Sequence, residues 1–385
     1  MPLSDLLVVE LASVLAGPSV GMFFAEHGAR VVKVEAPQGD VTRRWHLATE
    51  DPSDDRPAYF CAVNWGKQSV TLDLTTEAGR DALHRLVATA DLVVSSFRPG
   101  ASARLGADAD TLRAVNPRLV VVEVDGYGAD DLRTGYDAVI QAEAGFMALN
   151  GAADGPPTKM PVALVDVLAA HQLKEAALVA LLARERTGKG ATVRVSLLGA
   201  AVSSLANQAA NWLTAGVAPQ RMGSAHPNIA PYGTPYPTAT GAIVLAVGTD
   251  RQFAALVEAV GREDLATDAR FVTNAGRVRH RAALDAVLTE ALAGQERDAL
   301  LATLAERGVP AGAVRSVPEV FVQPEAARLV VDDGAGHAAV RTVATEEGRA
   351  LTPPPRLGAD TQAVLAALGL SSAEVDPLAG PGGGP

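Results

Sequence analysis

Short uninterrupted runs of Val and Leu recur through the first half of the chain and are separated by segments with helical spacing. The runs predict strands over residues 6–14, 30–37, 69–74, 91–97, 118–124 and 192–198. Strands that are apolar on both faces are typical of parallel sheets, because helices cover both sides of such sheets. The order strand, helix, strand at the N-terminus is a βαβ unit, with Gly28 after its helix. The pattern therefore predicts an α/β fold built on a parallel sheet.

Apolar positions three and four residues apart predict the helices. They indicate a helix that ends near Ala215 and earlier helices over residues 77–89, 108–115, 137–150 and 166–186. The segment 221–237 is rich in Gly and Pro, which predicts irregular structure and a domain boundary. A shorter α/β stretch follows, with a strand at 242–248 and helices near 250–260, 280–293 and 296–307.

The end of the chain carries weaker signals. After Val314 we expect extended, loop-like chain, then one amphipathic helix within 352–378 and a flexible tail over 379–385. The predicted organisation is a large α/β domain and a small α/β domain. The large domain covers residues 1–220 and is completed by about 330–385, and the small domain covers 225–325.

Composition narrows the classes of function. The 385 residues are 48% hydrophobic and 20% charged, as in ordinary globular proteins, and the net charge of -11 argues against a nucleic-acid-binding surface. The single cysteine, Cys61, excludes an internal disulfide framework and a Cys-rich metal site, and we expect no metal. No basic region precedes the first apolar stretch, and no apolar run has the length of a membrane span. We therefore expect a cytoplasmic protein with a small-molecule partner.

The first βαβ unit resembles a dinucleotide-binding unit only superficially. Glu35 ends the second strand, where an acidic residue holds the ribose in such folds. The glycine fingerprint is missing, since Pro18 and Ser19 stand where close approach to a pyrophosphate needs glycine. No phosphate-binding loop of the form G-x-x-x-x-G-K-[ST] occurs elsewhere. The sequence argues against both nucleotide sites.

Asp166 lies in the opening turn of a long apolar helix, in "PVALVDVLAA". An ionised carboxylate in apolar surroundings costs several kcal/mol unless another group stabilises it. One interpretation is a helix N-cap, because Asp accepts hydrogen bonds from free backbone N–H groups there. The other is a functional carboxylate. The local pattern leaves both open.

Four sequence blocks resemble the class III CoA-transferases, the family of formyl-CoA transferase, carnitine CoA-transferase and α-methylacyl-CoA racemase. The first is "LAGPSVGMFFAEHGARVVKVEAPQGDVTR", with A-G-P after the first strand and G-D-x-[ST]-R after the second. The others are "NWGKQSVTLDL", "SSFRPGASARLG" and "GYDAVIQAEAGFMALNG". They occur in the family's order, and the resemblance covers about residues 5–375.

The resemblance implies a fold and an assembly. The large domain is expected to be a Rossmann-like parallel-sheet domain that binds coenzyme A, beside a smaller α/β domain. Members of the family form interlocked homodimers, in which each chain threads through the other. Their active site lies between the large domain of one subunit and the small domain of its partner. We expect the same homodimer here.

The resemblance also assigns a reaction. Asp166 matches the nucleophile that attacks an acyl-CoA thioester and gives an aspartyl anhydride and then an aspartyl-CoA thioester. The enzyme moves CoA from an acyl-CoA to a carboxylic acid. The matching CoA contacts are Leu15, Ala16, Asn64, Lys67, Ser96, Phe97, Arg98, Arg104, Tyr136 and Asp137.

Two positions depart from the family pattern. Some members have Gln at the position of Leu15, which cannot donate a hydrogen bond, so backbone N–H groups near "LAGP" or "GSAHPN" are the alternative oxyanion donors. The usual Asn before Phe97 is Ser96.

Racemases have His before Asp137, where this chain has Tyr136, which is a poor base at neutral pH. Transfer is therefore favoured over 2-methylacyl-CoA racemisation and over noncatalytic CoA binding.

The acyl group is indicated only by residues near the predicted boundary. Some formyl- and oxalate-specific members have consecutive glycines in this region, and "GSAHPNIAPYGTPY" has none. Arg221 and His226 could hold a second carboxylate. A dicarboxylic or hydroxydicarboxylic acid, with succinyl-CoA as the donor, is the resulting hypothesis.

Overall fold

The computed structural model describes residues 2–98, 100–128, 131–344, 349–371, 374 and 378, so the predicted tail over 379–385 lies outside the described residues. The chain divides into two compact units. The first combines Met1–Ala144, Pro161–Ala206 and Pro324–Pro385, and the second combines Gly145–Met160 and Asn207–Gln323. Within the described ranges, no helix has both the length and the apolar character that crossing a membrane requires.

The strands form three sheets. In chain order they are β1 Leu7–Leu11, β2 Arg30–Glu35, β3 Lys67–Thr71, β4 Leu92–Ser95, β5 Val120–Asp125, β6 Thr192–Ser196, β7 Tyr232–Thr238, β8 Gly241–Ala246, β9 Ala311–Ala313, β10 Val330–Asp332 and β11 Ala338–Val340. The large sheet has the order β3-β2-β1-β4-β5-β6, and all its neighbouring strands are parallel. The predicted α/β fold with a parallel sheet is confirmed.

Helices occur in both units. They are α1 Ala16–Glu26, α2 Ala58–Cys61, α3 Glu77–Ala88, α4 Ala101–Arg104, α5 Ala109–Val115, α6 Asp137–Glu143, α7 Phe146–Leu149, α8 Leu164–Thr187, α9 Leu197–Ser203, α10 Ala206–Ala215, α11 Asp250–Ala259, α12 Asp264–Thr267, α13 Asn274–Arg279, α14 Arg281–Ala293, α15 Arg297–Glu306, α16 Val317–Phe321, α17 Pro324–Ala327 and α18 Thr361–Ala367. A short 3-10 helix covers Val41–Arg44.

The apolar runs form strands that are buried on both faces of the sheet. Strands β1, β2 and β4 are buried along almost their whole length. Val9, Val32, Val93 and Val121 pack with the apolar face of α3 in one core. The strand order reverses between β1 and β4, and in open parallel sheets ligands bind at such a point, beyond the carboxyl ends of the strands. The loops after β1 and β4 are therefore where a site is expected.

Several predicted elements need correction in the first half of the chain. The predicted helix over 137–150 is two helices, because Gly145 adopts φ +87° and starts α7 anew. The strand predicted over 192–198 ends at Ser196, whose side chain accepts a hydrogen bond from Gly199 N and caps α9. The helix predicted to end near Ala215 is likewise divided into α9 and α10.

Corrections also apply after residue 221. Residues 232–238, predicted to be irregular, form β7, which is an edge strand and so tolerates Pro235 and Pro237 without losing ladder hydrogen bonds on both sides. The stretch after Val314, predicted to be loop-like, contains two short helices and the β10–β11 hairpin. These elements have three to five residues each, which is too short for a periodic signal.

The second unit has its own core. Strands β7, β8 and β9 form an antiparallel sheet. Apolar residues of this sheet pack against α11, α14 and α15, with Ile243, Phe253, Leu288 and Leu304 fully or almost fully buried.

Candidate active site

A cavity of about 380 Å³ lies in the first unit, beyond the carboxyl ends of β1, β4 and β5. It is lined by the loop after β1, the loop after β4 and the start of α8. Seven of the residues predicted from sequence line it: Leu15, Ala16, Ser96, Phe97, Arg98, Tyr136 and Asp166. The fold thus brings them together at the point where the strand order reverses.

Asp166 is one of two carboxylates that line this cavity, and Asp125 at the end of β5 is the other. Its residue is only 8% exposed. Helix α8 begins after Ala163, so Asp166 occupies the third helical position and the N-cap interpretation is wrong. Burial, with the negative charge of Asp137 as a smaller cause, raises the pKa of Asp166 to about 7. Part of the population therefore carries an ionised, poorly solvated carboxylate here near neutral pH.

Asp137 supports the start of α8. It is the first residue of α6 and is buried, and it is not among the residues that line the cavity. One carboxylate oxygen accepts a hydrogen bond from Val165 N at 2.8 Å, and the other accepts from Gln141 Nε2 at 2.8 Å. Asp137 thereby satisfies a backbone N–H of the first turn that the helix itself leaves without a partner. The same contact holds its charge near Asp166.

The loop after β1 is strained and tied down. Val14 adopts φ +72°, which is rare for a β-branched residue. Its N–H points to both carboxylate oxygens of Asp40, at 3.3 and 3.4 Å. Lys33 Nζ donates to Ala12 O at 2.8 Å and pairs with Glu10 and Asp40 at 3.0 Å each. This buried network fixes the loop that carries Leu15 and Ala16.

Asn64 and Lys67 lie in the same network and do not line the cavity. Lys67 Nζ pairs with Glu10 at 2.8 Å and donates to Pro18 O and Asn64 Oδ1 at 2.9 Å each. Burial lowers the pKa of Lys67 to about 8, although Glu10 opposes the shift. Lys67 therefore contacts α1 through the carbonyl of Pro18, and Asn64 holds the Lys67 ammonium while it donates to Phe60 O.

Loops after β5 complete the cavity wall. Gly126 and Gly135 pass so closely that a Cβ on Gly135 would lie 2.5 Å from Gly126 Cα. Arg133 also lines the cavity, stacks on Tyr127 at 3.7 Å and pairs with Asp131 at 2.8 Å. Sequence reasoning missed Arg133, although a cation two residues before the G-Y-D block is a signal that could have found it. Arg104 is exposed at the end of α4 and does not line the cavity.

A second cavity of about 660 Å³ lies in the same unit, at the carboxyl ends of β1, β2 and β3. It shares Ser13, Ser96 and Phe97 with the first cavity, so the two are adjacent. Its lining includes residues that sequence reasoning missed: Gln38, Arg44, Asp73 and Thr75. These follow β2 and β3 directly. Only the strand order, which places β2 and β3 beside β1, shows that they belong to the site.

The two residues named for a second carboxylate lie in the second unit. Arg221 lines a cavity there of about 340 Å³, together with Arg281 and Asp285. The ring of His226 contacts Tyr232 at 5.0 Å, its Nδ1 accepts from Asn228 N at 3.1 Å, and its carbonyl accepts from Arg281 Nη2 at 2.6 Å. Across the described residues, no group of three His, Cys, Asp or Glu side chains could hold a metal ion.

Comparisons with known proteins agree with this architecture. Residues 3–361 match the family described as CoA-transferase family III. The chain is 39% identical to a succinate–glutarate CoA-transferase of Agrobacterium fabrum, over 95% of this chain and 96% of the relative. It is 36% identical to an acetyl-CoA:oxalate CoA-transferase of Acetobacter aceti, over 85% of this chain and 84% of the relative.

A solved structure supports the same assignment. The crystal structure of a CAIB/BAIF family protein from Brucella suis matches with a TM-score of 0.83 and 41% identity, over 96% of this chain and 99% of that protein. The sequence blocks, the parallel sheet and the carboxylate at its strand-order reversal therefore have one explanation. The chain belongs to CoA-transferase family III and is an enzyme of that family.

Proposed function

We propose that the enzyme transfers CoA from an acyl-CoA to a carboxylic acid through covalent intermediates on Asp166. The observation that carries this proposal is the position of the Asp166 carboxylate, which is buried and yet lines a cavity at the carboxyl edge of the sheet. A desolvated carboxylate is a stronger nucleophile than one in water, and a pKa of about 7 leaves a large ionised fraction at neutral pH.

In the first half-reaction the Asp166 carboxylate attacks the thioester carbonyl carbon of the donor. The C–S bond breaks and CoA leaves as a thiolate, so that a mixed anhydride joins Asp166 to the acyl group. The thiolate then attacks the aspartyl carbonyl and releases the donor's acid as a carboxylate. Asp166 now carries CoA as a thioester, and the energy of the thioester bond is conserved.

The second half-reaction reverses these steps with the acceptor. Its carboxylate attacks the aspartyl thioester, thiolate leaves, and an anhydride forms between Asp166 and the acceptor. Attack of the thiolate on the acceptor's carbonyl gives the new acyl-CoA and restores the Asp166 carboxylate. No proton is gained or lost over the cycle, so the site needs no general base. It must exclude water, which would hydrolyse either intermediate.

The two adjacent cavities provide space for CoA. We place the reacting thioester beside Asp166, near Leu15, Ala16 and Tyr136, and the nucleotide end of CoA in the larger cavity. Cationic side chains suit its phosphates, and a flat ring suits its adenine. The candidates in the two linings are Arg98, Arg44 and Phe97. Arg104, exposed at the end of α4, is proposed only from the resemblance.

Asn64, Lys67 and Asp137 are assigned an indirect role in this proposal. Lys67, which Asn64 holds through its side-chain oxygen, contacts the first turn of α1 at Pro18 O. Asp137 holds the first turn of α8 through Val165 N. They position the backbone and the nucleophile around CoA. Backbone N–H groups at the start of α1 are the proposed oxyanion donors, because Leu15 has no donor in its side chain.

The proposed acceptor is a dicarboxylic acid, and succinyl-CoA is the proposed donor. Both relatives named above have a dicarboxylic acid, glutarate or oxalate, in their names. Oxalate is disfavoured for this chain by the absence of consecutive glycines in 222–236. We therefore expect a four- or five-carbon diacid to be the better acceptor.

The test is to incubate the protein with acyl-CoA donors, succinyl-CoA first, and then with hydroxylamine. Peptide mass spectrometry should find a donor-dependent hydroxamate on the peptide that carries Asp166. Asp166→Asn should lose transfer by several orders of magnitude and still bind CoA, whereas the exposed control Asp154→Asn should keep full activity. Normal transfer by Asp166→Asn would disprove the covalent mechanism.

We also propose an interlocked homodimer, as the resemblance to the family implies. Helix α10 supports it, because it has no buried residue and exposes Trp212 by 54% and Leu213 by 79%. Large apolar side chains exposed on one short helix are typical of an interaction surface.

A further inference from the structure

The cavity of about 340 Å³ in the second unit is lined by two arginines and by small polar and apolar residues. The lining consists of Ala153, Arg221, Met222, Ser224, Ala225, Thr234, Pro235, Arg281 and Asp285. Every one of these residues belongs to the second unit, so the cavity is formed within that unit alone. The mechanism proposed above does not use it.

Hydrogen bonds fix one side of the Arg281 guanidinium. Its Nη2 donates to His226 O at 2.6 Å and to Ile229 O at 3.1 Å, which ties α14 to the chain before β7. Its Nη1 is buried and has no acceptor among the described residues. The arginine is therefore held rigidly, with donor capacity left over.

Arg221 is in a similar state. Its Nη1 makes only a long hydrogen bond to Ala148 O, at 3.5 Å, and its Nε is buried without an acceptor in the described part of the chain. A buried donor on a charged group costs more free energy than a neutral one when it lacks a partner. An anion that accepted from both guanidinium groups would remove that cost.

The charge of the cavity selects the kind of anion. Asp285 is the acidic residue of the lining, and its carboxylate accepts a hydrogen bond from Tyr236 Oη at 2.5 Å. Two arginines and one aspartate leave a net charge of +1. A carboxylate neutralises this charge, whereas a phosphate dianion would leave an excess of negative charge. Arginine also matches the planar, two-oxygen shape of a carboxylate.

We propose that this cavity is a carboxylate-binding site, with Arg221 and Arg281 as its ligands. The carboxylate could belong to the unreacted end of a dicarboxylic substrate or to a separate small acid. The case in which the carboxylate belongs to the substrate rests on the proposed function, since it needs a diacid as substrate. The binding site itself does not depend on that mechanism.

The experiment titrates succinate into the full-length enzyme by calorimetry and compares wild type with Arg221→Met. Arg221 is chosen because it makes one weak contact, so its loss leaves the fold intact. We expect the succinate Kd to rise at least about tenfold, and Arg281→Lys to weaken binding as well, because lysine cannot present the same fork. Arg279→Gln, two residues before Arg281 and exposed, is the control and should leave Kd unchanged.

Kinetics separate the two sources of the carboxylate. If it belongs to the substrate, Arg221→Met raises KM for succinate as acceptor at least about tenfold and leaves KM for butyrate, its monocarboxylic counterpart, unchanged. If it belongs to a separate acid, the Kd of succinate rises and neither KM changes. Equal succinate affinity in wild type, Arg221→Met and Arg281→Lys would overturn the proposal. A hydroxamate on Asp166 in that case would show that the covalent mechanism survives alone.

Discussion

At the scale of single residues, the proposed chemistry depends on one carboxylate held in an unfavourable state. Asp166 is buried next to Asp137, and no cation is among the causes of its pKa shift. Burial of an unpaired charge is costly in structural positions and is common where a group has to react. This cost distinguishes a nucleophile from a helix cap, whose carboxylate is stabilised by hydrogen bonds.

We predict that kcat/KM rises with pH through about 7 and then levels off, because the carboxylate form of Asp166 attacks the donor. Asp137→Asn should move the midpoint to lower pH, since it removes a neighbouring negative charge and keeps an acceptor for Val165 N. Burial is the larger cause of the shift, so the midpoint should stay above the usual value for Asp. Rate profiles from pH 5 to 9 test this. An identical midpoint in both proteins would contradict it.

The same residue should limit stability. The folded state keeps a proton on Asp166 up to a pKa of about 7, whereas the unfolded chain loses it near 3.8, so this residue's contribution to stability falls as pH rises between these values. At pH 8 the free energy of unfolding of Asp166→Asn should therefore exceed that of wild type by at most about 4 kcal/mol. The variant should then unfold at a higher urea concentration. The gain should disappear at pH 4. Asp154→Asn is the exposed control.

At the scale of elements, the active loops are positioned by buried ions on neighbouring strands. Glu10, Lys33 and Lys67 come from β1, β2 and β3, and their ion pairs connect these strands below the loop that follows β1. Gly21 in α1 leaves the room that Glu10 needs, because a Cβ there would lie 1.9 Å from Glu10 Oε2. The network thus explains residue choices in two elements at once.

We predict that Asp40→Asn destabilises the protein by about 3 kcal/mol, because it breaks a buried pair with Lys33. It should also raise KM for acyl-CoA, since Asp40 holds the strained Val14 next to Leu15. Urea unfolding and steady-state kinetics measure the two effects. The exposed residue Asp81 provides the control, as Asp81→Asn should change neither. If Asp40→Asn is destabilised but its KM is unchanged, the ion-pair network contributes to folding and not to the binding of acyl-CoA.

At the scale of the whole molecule, the proposed dimer has a direct test. Leu213→Asp places a charge on the exposed apolar surface of α10, and we expect it to prevent assembly of the dimer, so that the variant folds as a monomer. Light scattering should then give half the wild-type mass. Val272→Asp, at another exposed apolar residue, should keep the wild-type mass. A single-chain mass for the wild type would contradict the interlocked assembly.

Local sequence determined most of the elements and indicated the proposed nucleophile. The Val and Leu runs predicted every strand of the large sheet, because burial on both faces imposes an uninterrupted apolar pattern. The sequence blocks named Asp166 and six other residues that line its cavity. One helix break was missed because Gly145 changes the chain direction, and β7 was missed because prolines are tolerated at a sheet edge.

Tertiary structure decided what depends on distant neighbours. The order β3-β2-β1-β4-β5-β6 brings the larger cavity's residues after β2 and β3 beside the loop after β1. The structure shows that Lys67 is buried and pairs with Glu10. It also shows that Asp137 lies close enough to Asp166 to raise its pKa. A local pattern reports only which side of an element is apolar. The distance between two charges depends on residues that are far apart in the chain, and so do the hydrogen-bond donors of Arg221 and Arg281 that lack an acceptor among the described residues. Only tertiary packing determines them.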